Sequence, residues 1–316
     1  MRSSMKSTGA PKRHLFLPAS GGGATAAYSQ VHLVGWKLSK EWGDIENILN
    51  GEQKILTEDA VATWRKLSAL YGYISQFTSH YELHPTLVLS RHLQDIFALQ
   101  EFIPIGKADK KVLLETLNEY MATLSYCLDG TVHRATRANF DRLSRRKRNS
   151  VRQWLNHQIR SQKSRILNVT FYSSSSIRND ISREEISTAV AHLIRGMSNK
   201  RSASRQYNGH VWQLVYDNGV GYYVDWLLAI PSGTNKKALI DLFYAAWVES
   251  WKVVENPLQN IPRPFVVQDR DVILSNENID ESIDSMVGHF CSLDGVMKLN
   301  LPATVKTYSM SRIQKQ

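Results

Sequence analysis

The stretch Gly209 to Pro231, GHVWQLVYDNGVGYYVDWLLAIP, constrains the fold more than any other part of the chain. Both halves are rich in β-branched and aromatic residues. The middle, Asp217-Asn218-Gly219-Val220-Gly221, tolerates positive φ, so two strands joined by a tight turn are expected. Asp225 interrupts the second strand between Val224 and Trp226, ahead of Leu227, Leu228, Ala229 and Ile230. An unpaired charge inside an apolar run is strongly destabilising, so this carboxylate must face water, a partner or a metal. The plainest arrangement is a sheet face on which an Arg or a hydroxyl satisfies it. Register matters here, because one residue of slip exchanges the faces of a strand. A two-residue Asn218-Gly219 turn opposes Val215 to Tyr222 and turns Val215 away from Asp225. A loop from Asp217 to Gly221 opposes Val215 to Tyr223 and leaves both on the side of Asp225.

The strongest charge feature is Arg134 to Arg165. It holds Arg134, Arg137, Arg142, Arg145, Arg146, Lys147, Arg148, Arg152, Arg160, Lys163 and Arg165 against one acid, Asp141; eleven minus one gives +10, equal to the net charge of the whole protein. Phe140, Leu143, Val151, Trp154, Leu155 and Ile159 run through it at roughly helical spacing. One or two helices with an apolar stripe and a broad cationic face are predicted, either as a solvated linker or as a phosphate-tracking surface. Lys200 and Arg201, in the basic loop Asn199 to Gln206, extend the candidate DNA-binding set. A sequence pI near 9.5 implies an anionic partner, nucleic acid before membrane, since no apolar run approaches the ~18 residues that span a bilayer. Cys127 and Cys291 lie far apart with no metal spacing or disulfide framework, and the first residues lack a secretory apolar region, so a reducing cytoplasm is expected.

A chain of 316 residues, 42% hydrophobic, has material for two domains. Residues 1–35 pass through Gly21-Gly22-Gly23 with few large apolar side chains and read as a flexible basic arm. Residues 36–130 show helical periods. Trp64, Leu67, Leu70, Tyr71 and Ile74 form one face, Leu87, Leu89, Leu93, Ile96, Phe97 and Leu99 another after Pro85, and Val112, Leu113, Leu117, Tyr120, Met121 and Leu124 a third. His80, His84 and His92 have spacings that suggest a shared helical face, but Pro85 interrupts it, and surface or core histidines are expected. Residues 131–165 form the basic helical connector. From 166 to 316 the order is strand, helix, strand, strand, helix, strand, helix, strand, with a capping box at Ser182-Arg183-Glu184-Glu185. The predicted class is α+β: a helical N-terminal domain, then a mostly antiparallel sheet with helices packed on one face.

Segment 166–312 resembles the YagK/YfjJ C-terminal domain family, which includes inovirus-type rolling-circle replication initiators. The matching features are the strand Ile166 to Tyr172, a helix near 182–197, Gly209-His210-Val211-Trp212, the Asp225 strand, a helix ending near Trp247, and Lys306-Thr307-Tyr308-Ser309-Met310-Ser311-Arg312. The resemblance implies a replication-initiator-like fold and nucleic-acid binding, with the hairpin in the register that opposes Val215 to Tyr223. Where the family places two metal-binding histidines this chain has Tyr223 and Asp225, and Val215 stands at the metal-binding Glu. The family's Tyr-x-x-Lys falls near His289 to Ser292. Every catalytic position is thus substituted. The expected function is a DNA-binding protein of a phage or mobile element that does not cleave DNA and needs no cofactor. One alternative is a nicking endonuclease with a rearranged site. It would use Tyr308 or His289 catalytically and Asp225, His210 and His289 as ligands for Mg²⁺ or Mn²⁺. Another is an interaction module for an acidic protein.

Overall fold

A computed structural model describes residues 40, 42–45, 47, 59–75, 80–101, 107–173, 182–199, 207–217, 221–251, 265–272, 278–300 and 307–311. The N-terminal arm, Lys200 and Arg201 lie outside them. Helices α1 (Ala60–Ser75), α2 (Pro85–Ile96) and α3 (Lys107–Leu128) occupy the spans that periodicity predicts, with the short strand β1 (Tyr81–Leu83) before α2. Proline at the first position of α2 costs no hydrogen bond, and His84 caps the helix, its Nδ1 accepting from the Thr86 amide at 3.2 Å. Leu67, Leu70 and Ile74 of α1 meet Leu87 and Leu93 of α2 and Leu113, Leu117, Tyr120 and Leu124 of α3 in one core. The three histidines go separate ways. His80 stacks on Tyr216 with centroids 3.6 Å apart, His84 also reaches Asp141, and His92 is exposed.

The remaining elements are α4 (Thr131–Asn156), continued by a π-helical turn (His157–Ser161), β2 (Arg165–Ser173), α5 (Arg183–Asn199), β3 (Gly209–Asp217), β4 (Gly221–Ile230), α6 (Lys236–Trp251), β5 (Phe265–Val272), α7 (Ile279–Phe290), β6 (Met297–Leu299) and β7 (Tyr308–Met310). Helix α5 starts on the predicted capping box: Glu185 N–H donates to Ser182 Oγ at 3.2 Å, and Ser182 N–H donates to Glu185 Oε2 at 2.7 Å. Five strands form a sheet in the order β5-β2-β4-β3-β7, antiparallel at every step. Both β2 and β3 oppose β4, so they run parallel to each other and are linked through α5. Likewise β4 and β5 oppose β2 and are linked through α6. Two interleaved β-α-β units of this kind make the ferredoxin-like β-α-β-β-α-β topology. The hairpin takes the wide register: Val215 opposes Tyr223, Gln213 opposes Asp225 and Trp212 opposes Trp226.

Helices α5 and α6 cover one face, packing Ile186, Val190, Leu193, Phe243 and Trp247 on Val169, Trp212, Val224 and Trp226. The antiparallel sheet with packed helices that the sequence predicts is present, but the helices are not confined to this face. The second face is covered as well. Beside the hairpin loop, Val215 and Tyr223 enter the core of α1 to α3. Further along, Ile166, Val211, Leu227 and Ala229 pack on Val151, Trp154 and Leu155 of α4 and on Ile283, Met286, Val287 and Phe290 of α7. The basic helix is therefore a layer of the sheet domain as well as a connector to it. Strand β7 closes the edge, and Ser311 Oγ there accepts from His210 N–H at 2.9 Å and Trp154 Nε1–H at 3.2 Å. Gly209 makes this approach possible, since a Cβ on it would lie 2.6 Å from Ser311 Oγ. A separate ribbon of β1 and β6 ties the helical region to residues 297–299.

Candidate nucleic-acid interface

Helix α4 has two distinct sides. Its inner side carries Val151, Trp154 and Leu155 toward the sheet and α7, Lys147 toward Gln213 and Asp294, Ser144 toward Asp294, and Phe140 toward His84 and Lys298. Leu143, which the sequence pattern places in this apolar stripe, is 46% exposed, and Ser144 takes the inward place. The reason is helical phase: positions 140, 144, 147, 151 and 154 step by three or four and stay in line, and 143 falls outside that line. Ser144 is satisfied there by the carbonyls of Phe140 and Asp294.

The outer side is cationic. Arg134, Arg142, Arg145, Arg146 and Arg148 are exposed, and none of them is ion-paired among the described residues. Arg142 donates to Asn139 Oδ1 at 2.9 Å, and Arg145 and Arg148 reach the carbonyls of Asp141 and Cys291 only at 3.4 Å. At the far end the charges are compensated: Arg152 pairs with Asp284 and Arg160 with Asp280, both on α7. Asp141, the single acid of the stretch, bonds to His84 Nε2 at 3.2 Å and lies 3.8 Å from Arg137. Sequence grouping placed Lys147 with these phosphate-facing cations, and the structure corrects that. Its side chain is 17% exposed and donates to Asp294 Oδ1 at 2.8 Å and Gln213 Oε1 at 2.9 Å. In a run of four consecutive basic residues on a helix one must turn inward, and at 147 that direction meets a polar patch of the sheet.

That patch contains Asp225, which is fully buried. Asn168 Nδ2 donates to Asp225 Oδ1 at 2.6 Å and to the Trp226 carbonyl at 3.0 Å, with Thr170 Oγ1 at 3.5 Å from the same carboxylate oxygen. Gln213 bridges the cluster: its Nε2 donates to the Phe290 carbonyl at 2.7 Å and approaches Asp225 Oδ2 at 3.4 Å, while its Oε1 receives Lys147. The carboxylate is thus satisfied by amides and a hydroxyl at the boundary between two apolar cores. Sequence reasoning missed Asn168, Thr170, Gln213 and Asp294. A signal was present, because Asn168 and Thr170 alternate within an apolar strand and share one face.

The ligand set considered from sequence does not converge. His210 opposes Leu228 and packs against Trp226 on the α5 and α6 face, the opposite side of the sheet from Asp225. Burial pushes its pKa down to about 4. His289 is half-buried near the end of α7. Among the described residues no group of three or more His, Cys, Asp or Glu is placed to hold a metal ion. Tyr308 does lie on the Asp225 face, opposite Gln213, with the Lys147 ammonium 5.2 Å from its ring centroid. Its hydroxyl is buried with no hydrogen-bond partner among the described residues. Burial first, then the charges of Cys291 and Asp294, hold this phenol well above its usual pKa. A nucleophile needs the opposite shift or an adjacent base. The Cys291 thiol is pushed up to about 12, again chiefly by burial, which marks an inert cysteine.

No helix among the described residues is long and apolar enough to cross a membrane. Comparison of the chain with family models, with curated proteins and with solved structures finds no match.

Proposed function

We propose that this chain is a DNA-binding protein of a phage or other mobile element, acting in the cytoplasm, whose replication-initiator-like domain supports a cationic helix and does not cleave DNA. The observation that carries the reading is the row of exposed arginines on α4, at Arg134, Arg142, Arg145, Arg146 and Arg148, none of them ion-paired among the described residues. Over these fourteen steps the helix runs ~21 Å, long enough to follow several phosphates. Its inner side is fixed to the sheet by Val151, Trp154 and Leu155, so the charges are presented on a firm support. The absence of cleavage rests on Tyr308, whose buried and hard-to-ionise hydroxyl is poorly placed to attack a phosphate.

Changing Arg134, Arg145 and Arg148 together to Gln tests the reading. Binding to mixed-sequence DNA should weaken, and the slope of log K against log salt should flatten by about two to three, at ~0.7–0.9 per phosphate contact. Unchanged affinity and slope would refute it. Equal competition by an acidic polypeptide at matched charge would instead favour an acidic protein partner.

A further inference from the structure

We infer that α4 binds double-stranded DNA in the major groove, with the ridge Arg142, Arg146, Asn149 and Gln153 facing base edges; this rests on the DNA-binding reading above. The four positions step by four, three and four, so they form one line along the helix, on the side away from Val151 and Trp154. All four are exposed. The line is ~16 Å long, close to the rise of five base pairs.

The chemistry of the line is that of base readout. A guanidinium fork matches the two major-groove acceptors of guanine, and a carboxamide matches the donor and acceptor of adenine. Asn149 and Gln153 make no side-chain hydrogen bond with other described residues, so both amides are available. Ala135 and Ala138 are exposed on the same side of the helix and add little bulk, which lets a groove wall come close. No exposed acid lies on α4 to repel a phosphate, since Asp141 is half-buried and engaged with His84.

Other nucleic acids fit this surface less well. Single strands are held by stacking on exposed aromatic side chains, and the two aromatic residues of α4, Phe140 and Trp154, are both buried. The major groove of duplex RNA is too deep and narrow to admit a helix. Arg134, Arg145 and Arg148 border the ridge, in position to contact phosphates beside the groove.

The experiment uses the full chain with three probes of equal length at one salt concentration: mixed-sequence duplex DNA, single-stranded DNA and duplex RNA. A pool of randomised duplexes is then taken through rounds of selection. The expected result is at least tenfold preference for duplex DNA and enrichment of a common site of about five base pairs. Asn149→Ala and Gln153→Ala should each reduce the ratio of affinities for the selected and scrambled sites by about 5- to 150-fold and leave the salt slope unchanged. Arg134→Gln should weaken both sites equally and flatten the slope by ~0.9. Preference for single strands, or selection that enriches nothing while duplex binding persists, would overturn the groove assignment and leave the DNA-binding reading standing. No binding to any of the three probes would overturn both. Retained discrimination in both amide variants would show that other residues read the bases, and would also overturn the assignment.

Discussion

Replacing Lys147 with Met separates the two sides of α4. The Lys147 and Asp294 side chains are 17% and 13% exposed, and the ammonium also satisfies Gln213 Oε1. Asp294 Oδ2 is already buried without a hydrogen-bond partner among the described residues, so removing the lysine leaves an uncompensated carboxylate. Breaking a buried pair from one side costs about 3–5 kcal/mol, a large share of the ~5–15 kcal/mol that holds a typical domain together. The corresponding fall in midpoint temperature is roughly 6–20 °C. Removing both charges in Lys147→Met/Asp294→Leu should recover more than half of this loss, since apolar replacement of a whole buried pair is often near neutral. Urea and thermal unfolding followed by tryptophan fluorescence give the stabilities, and titration against DNA at several salt concentrations gives the slope. Lys147→Met should leave the salt slope unchanged where the protein is folded. The nearby Arg145→Met should do the reverse, altering stability by less than ~0.5 kcal/mol while flattening the slope by ~0.9. A Lys147→Met protein as stable as the parent, with a flatter slope, would refute the inward assignment.

Catalytic silence is the second expectation: in Mg²⁺ or Mn²⁺ the protein should neither nick supercoiled DNA nor form a covalent adduct on a denaturing gel, and an adduct lost in Tyr308→Phe would reverse that conclusion. The same Tyr308→Phe change should be neutral or stabilising by up to ~1 kcal/mol in urea unfolding, because it removes a buried hydroxyl with no partner. His210 titrates near 4 when folded against an ordinary 6.5 when unfolded, so the unfolded chain takes up its proton first as pH falls. Its contribution to stability is complete above pH 6.5 and is lost between there and pH 4, by about 3 kcal/mol; His210→Gln should show a correspondingly flatter stability curve over that window. Gly209→Ala should destabilise by ~1–3 kcal/mol through the clash with Ser311 Oγ, and Gly209→Ala/Ser311→Ala should regain part of it in the same unfolding assay.

Local features of the fold were legible in the sequence. The proline-started helix at 85, the capping box at 182–185 and the strand pair around Asp225 each follow from a few neighbouring residues, and the structure has all three. The wide register was one of two arrangements the sequence allowed, and burial of Val215 and Tyr223 in the helical core accompanies the one adopted. What could not be read was which surface each element meets. The outward turn of Leu143, the inward turn of Lys147 and the supply of donors to Asp225 from Asn168 and Gln213 all depend on contacts between distant segments. His210 and Asp225 looked compatible as ligands because a sequence does not display which face of a sheet a residue takes until the pairing is known.

The β1 and β6 ribbon has a consequence for how the chain folds as it is made. Tyr81 pairs with Leu299, and Leu293, Val296 and Met297 help fill the core formed by α1, α2 and α3. The segment that emerges early from the ribosome therefore waits for partners synthesised roughly two hundred residues later, some 10–40 s at 5–20 residues per second. During that interval Leu67, Leu87 and Leu117 lack part of their final cover. The helical region is thus the part of the nascent chain with most to gain from a chaperone, and it completes its folding only after strands β2 to β5 have been made.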